Sequence, residues 1–282
     1  MFWIFFLLAL LGLVIGSYTD FKTREVPDWF SYGLIFAGVF LHGVYSAVIW
    51  SWTPLLYSLF GLGIGIGIAL AMFYLGQWGG GDSKMMMALG AIIGMEFSLD
   101  SFFLSFIVNV FFLGSLYGLF YGVVLAFKNR KEFKKEFSRI YHEKKNIFLR
   151  RILVIAAIIL IIFSLFLPLS LKIYLIVLIM VIFASYLLYI FAKSIEKCCM
   201  LKKVNPSVLT EGDWIAKDVV VRKKRICGPK DLGISLEQIE KLKKLHVKEV
   251  LVKEGIPFVP SFLIAFLFSY FFGNVLFLLF VF

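Results

Sequence analysis

Long apolar runs alternate with short polar connections along almost the whole chain. Crossing the hydrocarbon core of a bilayer takes about 20 residues in helical form, and windows of roughly that length fall at 1–18, 29–51, 54–77, 101–127, 151–169, 172–193 and 256–282. A shorter apolar window, 84–97, follows a glycine-rich corner; with neighbouring helices to shield it, it too completes a crossing. The pattern predicts an α-helical polytopic membrane protein of about eight spans, one of them short and placed after the glycine-rich corner. Met1 to Tyr18 carries no basic n-region and no small-residue cleavage signature, so it reads as a retained span.

The pattern changes between 194 and 254, where charges interleave with short apolar stretches. Ser235-Leu236-Glu237-Gln238 opens as a capping box, and Ile239, Leu242 and Leu245 follow at helical spacing. Trp214 to Val221 and Val247 to Val252 are β-branched and partly alternating, which predicts small strands on that helix. The expected organisation is an N-terminal membrane domain over 1–127, a basic cytoplasmic loop over 128–150, two spans over 151–193, a small cytoplasmic α+β module over 194–254 and a last span over 255–282.

Composition agrees with a membrane solvent. With 61% hydrophobic residues, 33 phenylalanines and only 17% charged residues, one globule cannot hide the apolar surface. Charge then sets orientation. Eight crossings put the connection 19–28, Lys84, the loop 128–151 and the segment 193–254 on one face, which collects 28 of the 29 lysines and arginines and leaves only Lys172 opposite. By the positive-inside rule this face is cytoplasmic and the N-terminus lies outside. The net charge of +11 is therefore topological; it suits anionic lipid headgroups, and no nucleic-acid motif accompanies it. Cys198, Cys199 and Cys227 have neither the number nor the spacing of a zinc cluster or a disulfide framework, and read as reduced cytoplasmic thiols.

Two aspartates stand out against this background. Asp20 follows the first apolar run, and Asp82 ends Gly79-Gly80-Gly81-Asp82 after the third. A bland account makes Asp20 part of a charged turn and Asp82 or Ser83 the N-cap of the next helix. The other account brings two carboxylates to one membrane-edge site, where they form an acid and a base. Gly79, Gly80 and Gly81 allow a tight reversal and close approach of other main chain; the run lacks the Gly-Lys-Ser/Thr ending of a phosphate loop. Gly61, Gly63, Gly65 and Gly67 read as a helix packing face, and Met85, Met86 and Met87 as core, or as a soft wall beside Asp82. Pro257 reads as the start of the last helix, with Pro260 tolerated one turn on and an irregular start to which an extended peptide could pair.

Three fragments together carry a resemblance. Asp20 to Asp28, Gly79 to Lys84 and Ile256-Pro257-Phe258-Val259-Pro260 resemble, in order, the signatures of the type IV prepilin peptidases, including the archaeal preflagellin peptidases. These are membrane aspartic proteases whose second aspartate closes a Gly-x-Gly-Asp motif. The resemblance covers 1–127 and 209–282; the basic loop, the next two spans and the segment around Cys198 match nothing specific. It implies Asp20 and Asp82 as the catalytic pair acting on a water without metal or cofactor, and Gly79, Gly80, Gly81, Lys84, Pro257 and Pro260 as substrate-binding or site-shaping residues. The implied partners are prepilin or preflagellin precursors and membrane lipids, with no nucleic acid, and the implied site lies at the cytoplasmic side of the cell membrane. Paired Cys-x-x-Cys motifs of many bacterial members are missing, so methyltransferase activity is not expected. A presenilin-type intramembrane protease shares the Gly-x-Gly-Asp ending, but here Thr19 precedes Asp20 and no Pro-Ala-Leu motif occurs. A carboxylate-dependent transporter would call for inverted repeats and mid-membrane carboxylates, and neither is evident.

Overall fold

The computed structural model describes residues 2–98, 100–221 and 224–277. In chain order the elements are α1 (Phe2–Thr23), α2 (Asp28–Val48), α3 (Thr53–Tyr74), α4 (Gly80–Ile93), α5 (Phe102–Lys128), α6 (Arg130–Tyr141), α7 (Lys144–Ser164), α8 (Leu169–Ile195), β1 (Leu201–Val204), β2 (Trp214–Ile215), β3 (Val219–Val221), β4 (Lys224–Cys227), α9 (Leu236–Lys244), β5 (Val250–Lys253) and α10 (Val259–Phe272). Among the described residues six helices are long and apolar enough to cross a membrane, and α4 and α10, at 14 residues each, are shorter. The polytopic helical architecture and the small sheet-bearing module thus stand as expected. The chain divides into two compact units, Met1–Tyr121 with Gly255–Phe282, and Gly122–Glu254.

In the first unit α4 is the central element. It packs against α1, α2 and α3, while α1 also packs against α10. Met85, Met86, Ala88, Leu89, Ala91 and Ile92 are all buried, so α4 exposes little of itself. Close approach comes from glycine: a Cβ on Gly61 of α3 would stand 2.2 Å from the Gly90 carbonyl oxygen, and one on Gly65 2.9 Å from that of Met86, whereas Gly63 and Gly67 have nothing within 4 Å. A bilayer core offers no water to orphaned carbonyls, and the end of α4 meets this condition with neighbours. Gly90 O accepts from Gly94 N–H at 3.0 Å, Ala91 O from Ser58 Oγ at 2.6 Å, and Ile92 O is bonded by His42 Nε2 at 3.0 Å. Gly94, at φ +71°, then turns the chain out of the helix in the left-handed region that glycine adopts freely.

In the second unit α7 and α8 pack together and expose apolar side chains such as Ile155, Ile158, Ile159, Ile176 and Val177, the surface expected of helices facing lipid. The stretch 128–150, expected as a loop, instead holds α6 and the start of α7. Phe133, Phe137, Ile140 and Tyr141 recur at helical spacing; Phe137, Ile140 and Tyr141 join Tyr186 and Ile190 of α8 in one cluster, and the Phe133 ring meets Phe191. The basic side chains of α6 lie on its other face, the amphipathic arrangement of an interfacial helix.

The module is built on a three-stranded antiparallel sheet in the order β1-β5-β2 and a β3-β4 pair. Val252 pairs with Lys202 on one side and Ile215 on the other. Leu209, Ile215, Cys227, Ile234, Ile239, Leu242, Val250 and Val252 form its core. The capping box of α9 is present, with Gln238 N–H donating to Ser235 Oγ at 3.3 Å and Ser235 N–H to Gln238 Oε1 at 2.9 Å. The stretch Trp214 to Val221, expected to be strand, holds two strands in different sheets, separated at Ala216–Asp218.

Candidate active site

Asp20 lies inside α1, in its last turn, and not in the loop after a span ending at 18; α1 continues to Thr23. In that last turn Thr19 Oγ1 donates to Gly16 O and Thr23 Oγ1 to Thr19 O, each at 2.9 Å, so both hydroxyls are satisfied locally. Asp20 is 5% exposed, and its Oδ2 accepts from the Val259 N–H at 2.9 Å. Val259 is the first residue of α10, so Asp20 caps a helix 239 residues away and sits at the positive end of its dipole.

Asp82 is also placed differently from expectation. The N-cap of α4 is Gly79, in extended conformation, and Asp82 is the third helical residue, its Oδ2 accepting the Gly79 N–H at 3.0 Å. Gly80 and Gly81 form the first helical turn rather than a loop. Ser83 does not cap the helix; its hydroxyl donates to Ala69 O at 3.4 Å. Gly81 lets the chain approach closely, since a Cβ there would stand a tight 3.2 Å from the Val26 nitrogen. Through this contact the α1–α2 connection meets the start of α4, and one turn into the bundle Gly16 faces Met85, to which its Cβ would come within 3.1 Å. Asp20 and Asp82 therefore share one end of the bundle.

Two neighbouring cations hold partners of their own. Lys84 pairs with Asp28 and lies 5.6 Å from the Tyr32 ring centroid. Arg24, at φ 62°, donates from Nη2 to the Tyr121 hydroxyl at 2.9 Å. Among the described residues neither Asp20 nor Asp82 enters an ion pair. Pro257 is buried but lies before α10, and Pro260 is buried in its first turn; the helix-starting proline is thus Pro260, not Pro257. Phe258 packs on Trp78 and Phe262, which fixes the approach of this segment to Asp20. The expected last span, 256–282, is helical over α10 and again over Val275–Phe277, and residues 278–282 lie outside the described ones.

Residue types gave no sign of two contributors. One is the Val259 amide, which as backbone has no letter of its own. The other is Tyr121 of α5, which accepts from Arg24 and which no local motif singles out.

A helical membrane protein with two carboxylates at one end of its bundle, neither in an ion pair among the described residues, has the class features of a membrane-embedded acid–base site. Residues 6–123 match the type IV leader peptidase family. Over 157 residues the chain is 30% identical to a preflagellin peptidase of Methanococcus maripaludis, covering 50% of this chain and 67% of that protein. Preflagellin peptidases of Methanocaldococcus jannaschii and Methanococcus voltae are 33% and 34% identical over 88 and 86 residues, 37% and 36% of their own lengths. The chain belongs to the type IV leader peptidase family.

Proposed function

We propose that this chain is a membrane aspartic endopeptidase that removes the short basic leader from preflagellin or type IV prepilin-like precursors at the cytoplasmic membrane boundary. Asp20 and Asp82 are its catalytic pair. The observation that carries the reading is that these two carboxylates, from α1 and α4, lie at one end of the same bundle, with neither in an ion pair among the described residues. In the resting pair one carboxyl holds a proton and the other is ionised. The ionised one takes a proton from water as the water oxygen bonds to the scissile carbonyl carbon. The protonated one delivers its proton to the carbonyl oxygen, and the tetrahedral intermediate then collapses with the amine leaving protonated. Family membership and the preflagellin peptidase relatives support the leader as substrate. A bond just before a hydrophobic helix lies at headgroup level, which is where a site at the cytoplasmic end of α1 and α4 would meet it. No methyl transfer to the new amino terminus is part of the proposal.

The test is co-expression of the chain with a preflagellin or prepilin precursor in membranes, read by gel mobility and N-terminal sequencing. Wild type removes the leader, and Asp20→Asn and Asp82→Asn each abolish removal while the protein remains inserted and folded. Cleavage by both variants would refute the catalytic pair; cleavage within a hydrophobic span in place of the leader junction would favour the presenilin-type reading.

A further inference from the structure

Tyr117 and Tyr121 lie one turn apart on the face of α5 that also carries Gly114 and Gly118. That face meets the segment leading into α10. A Cβ on Gly114 would stand 2.8 Å from the Phe258 ring, and one on Gly118 3.6 Å from Ile256. The next residue along, Val259, holds Asp20. On the other side Tyr121 accepts from Arg24, whose own backbone N–H bonds Asp20 O at 3.0 Å. Tyr117 is therefore bracketed by two elements that both touch Asp20.

The two tyrosines differ in one respect. The Tyr121 hydroxyl has a partner, whereas the Tyr117 oxygen is buried and has no hydrogen-bond partner among the described residues. A buried hydroxyl left unbonded is costly, and a folded chain retains one chiefly where something else completes the bond. A peptide carbonyl is such a group, because it accepts and never donates. Four other donors near the pair are engaged: Val259 N–H to Asp20, Gly79 N–H to Asp82, Lys84 to Asp28 and Arg24 Nη2 to Tyr121, whose oxygen accepts. Ser17 Oγ is also buried without a partner, and it therefore serves as the control in the test below.

We infer that Tyr117 is a further catalytic residue, its hydroxyl donating a hydrogen bond to the oxygen of the scissile carbonyl. This rests on the peptidase reading above. Tyr117 keeps its proton throughout. As water bonds to the carbonyl carbon and electron density moves onto the oxygen, the hydrogen bond strengthens, until the protonated aspartate completes the transfer to that oxygen. Stabilisation that grows with developing charge acts on turnover more than on binding.

The experiment measures kcat and KM of the purified full chain in lipid nanodiscs, with the preflagellin of Methanococcus maripaludis as probe. Tyr117→Phe lowers kcat by about 100-fold, the scale of losing one donor to a developing oxyanion, while KM stays within about threefold. Its thermal midpoint does not fall, because the deleted oxygen bonded nothing in the free protein. Tyr117→His, which restores a donor, recovers part of the lost kcat, and Ser17→Ala stays within about threefold of wild type. A Tyr117→Phe kcat within about threefold of wild type, a loss confined to KM, or a matching fall in thermal midpoint would each overturn the assignment. So would a loss that appears in Ser17→Ala instead, or a Tyr117→Phe that fails to fold. Asp20→Asn and Asp82→Asn run alongside: if they cut the probe, or wild type does not, the peptidase reading falls and takes this inference with it. If they are inactive and Tyr117→Phe is not, only the role of Tyr117 is lost.

Discussion

Gly61 and Gly63 are two residues apart on one helix and answer to different physics. A Cβ on Gly61 would stand 2.2 Å from the Gly90 carbonyl oxygen, a backbone atom that cannot rotate away, whereas Gly63 has open space. Gly61→Ala therefore forces α3 and α4 apart at their tightest crossing and is expected to cost about 1–3 kcal/mol, the usual range of overpacking. Gly63→Ala removes backbone freedom without a clash and is expected to be neutral or to stabilise by up to about 1 kcal/mol. Thermal unfolding of the two variants in the same detergent checks this, and equal losses would sink the distinction. The four-glycine run was legible as a packing face, but which glycines bear the contact was not, since that depends on how α4 is rotated. The same boundary runs through the site. Asp20 and Asp82 stand out by residue type at a hydrophobic edge, whereas the Val259 amide is invisible in a sequence and reaches Asp20 across 239 positions.

α4 is the element on which the first unit depends, because it carries Asp82 at one end and borrows hydrogen bonds at the other. Ser58 Oγ donates to Ala91 O at 2.6 Å in a fully buried place. Ser58→Ala leaves that carbonyl without its side-chain donor, and an unsatisfied buried acceptor costs about 1–3 kcal/mol. The expected result is a lower thermal midpoint with the secondary structure retained by circular dichroism; an unchanged midpoint would mean the carbonyl finds another donor. In the module the corresponding test is Ser235→Ala, which removes one half of the α9 capping box and is expected to destabilise the module by about 1 kcal/mol, read by amide exchange within α9. That box was legible because its four residues are contiguous. α6 was overlooked for a different reason: its charges suggested a loop, although Phe133, Phe137, Ile140 and Tyr141 already had helical spacing. β1 and β4 are rich in Lys and Arg and gain their strand character from partners, β1 pairing with β5 across about fifty residues, a relation that local pattern does not carry.

At the scale of the whole molecule, orientation decides whether the aspartates face the compartment in which leaders are made. The charge argument needs α4 to cross, since without that crossing every later basic segment would change sides. Three single cysteines test it: Ser51→Cys between α2 and α3, Ser98→Cys between α4 and α5, and Lys243→Cys on the exposed face of α9. The background replaces Cys198 and Cys199 by serine and keeps Cys227. That thiol is fully buried, and burial pushes its pKa up, with Asp231 adding to the effect. Because the thiolate is the reactive form, Cys227 stays silent toward maleimide at neutral pH while the module is folded, and becomes reactive on denaturation. In intact cells a membrane-impermeant maleimide is expected to label positions 51 and 98 and to spare 243, and inverted vesicles reverse the pattern. Labelling of 51 and 98 from opposite sides would mean that α4 dips into the membrane and returns. Labelling of 243 from outside would place the Lys- and Arg-rich face away from the cytoplasm, against the positive-inside rule. A site on that outer face could not meet a leader still attached to its precursor in the cytoplasm, so this outcome would weigh against leader cleavage even if both aspartates proved catalytic.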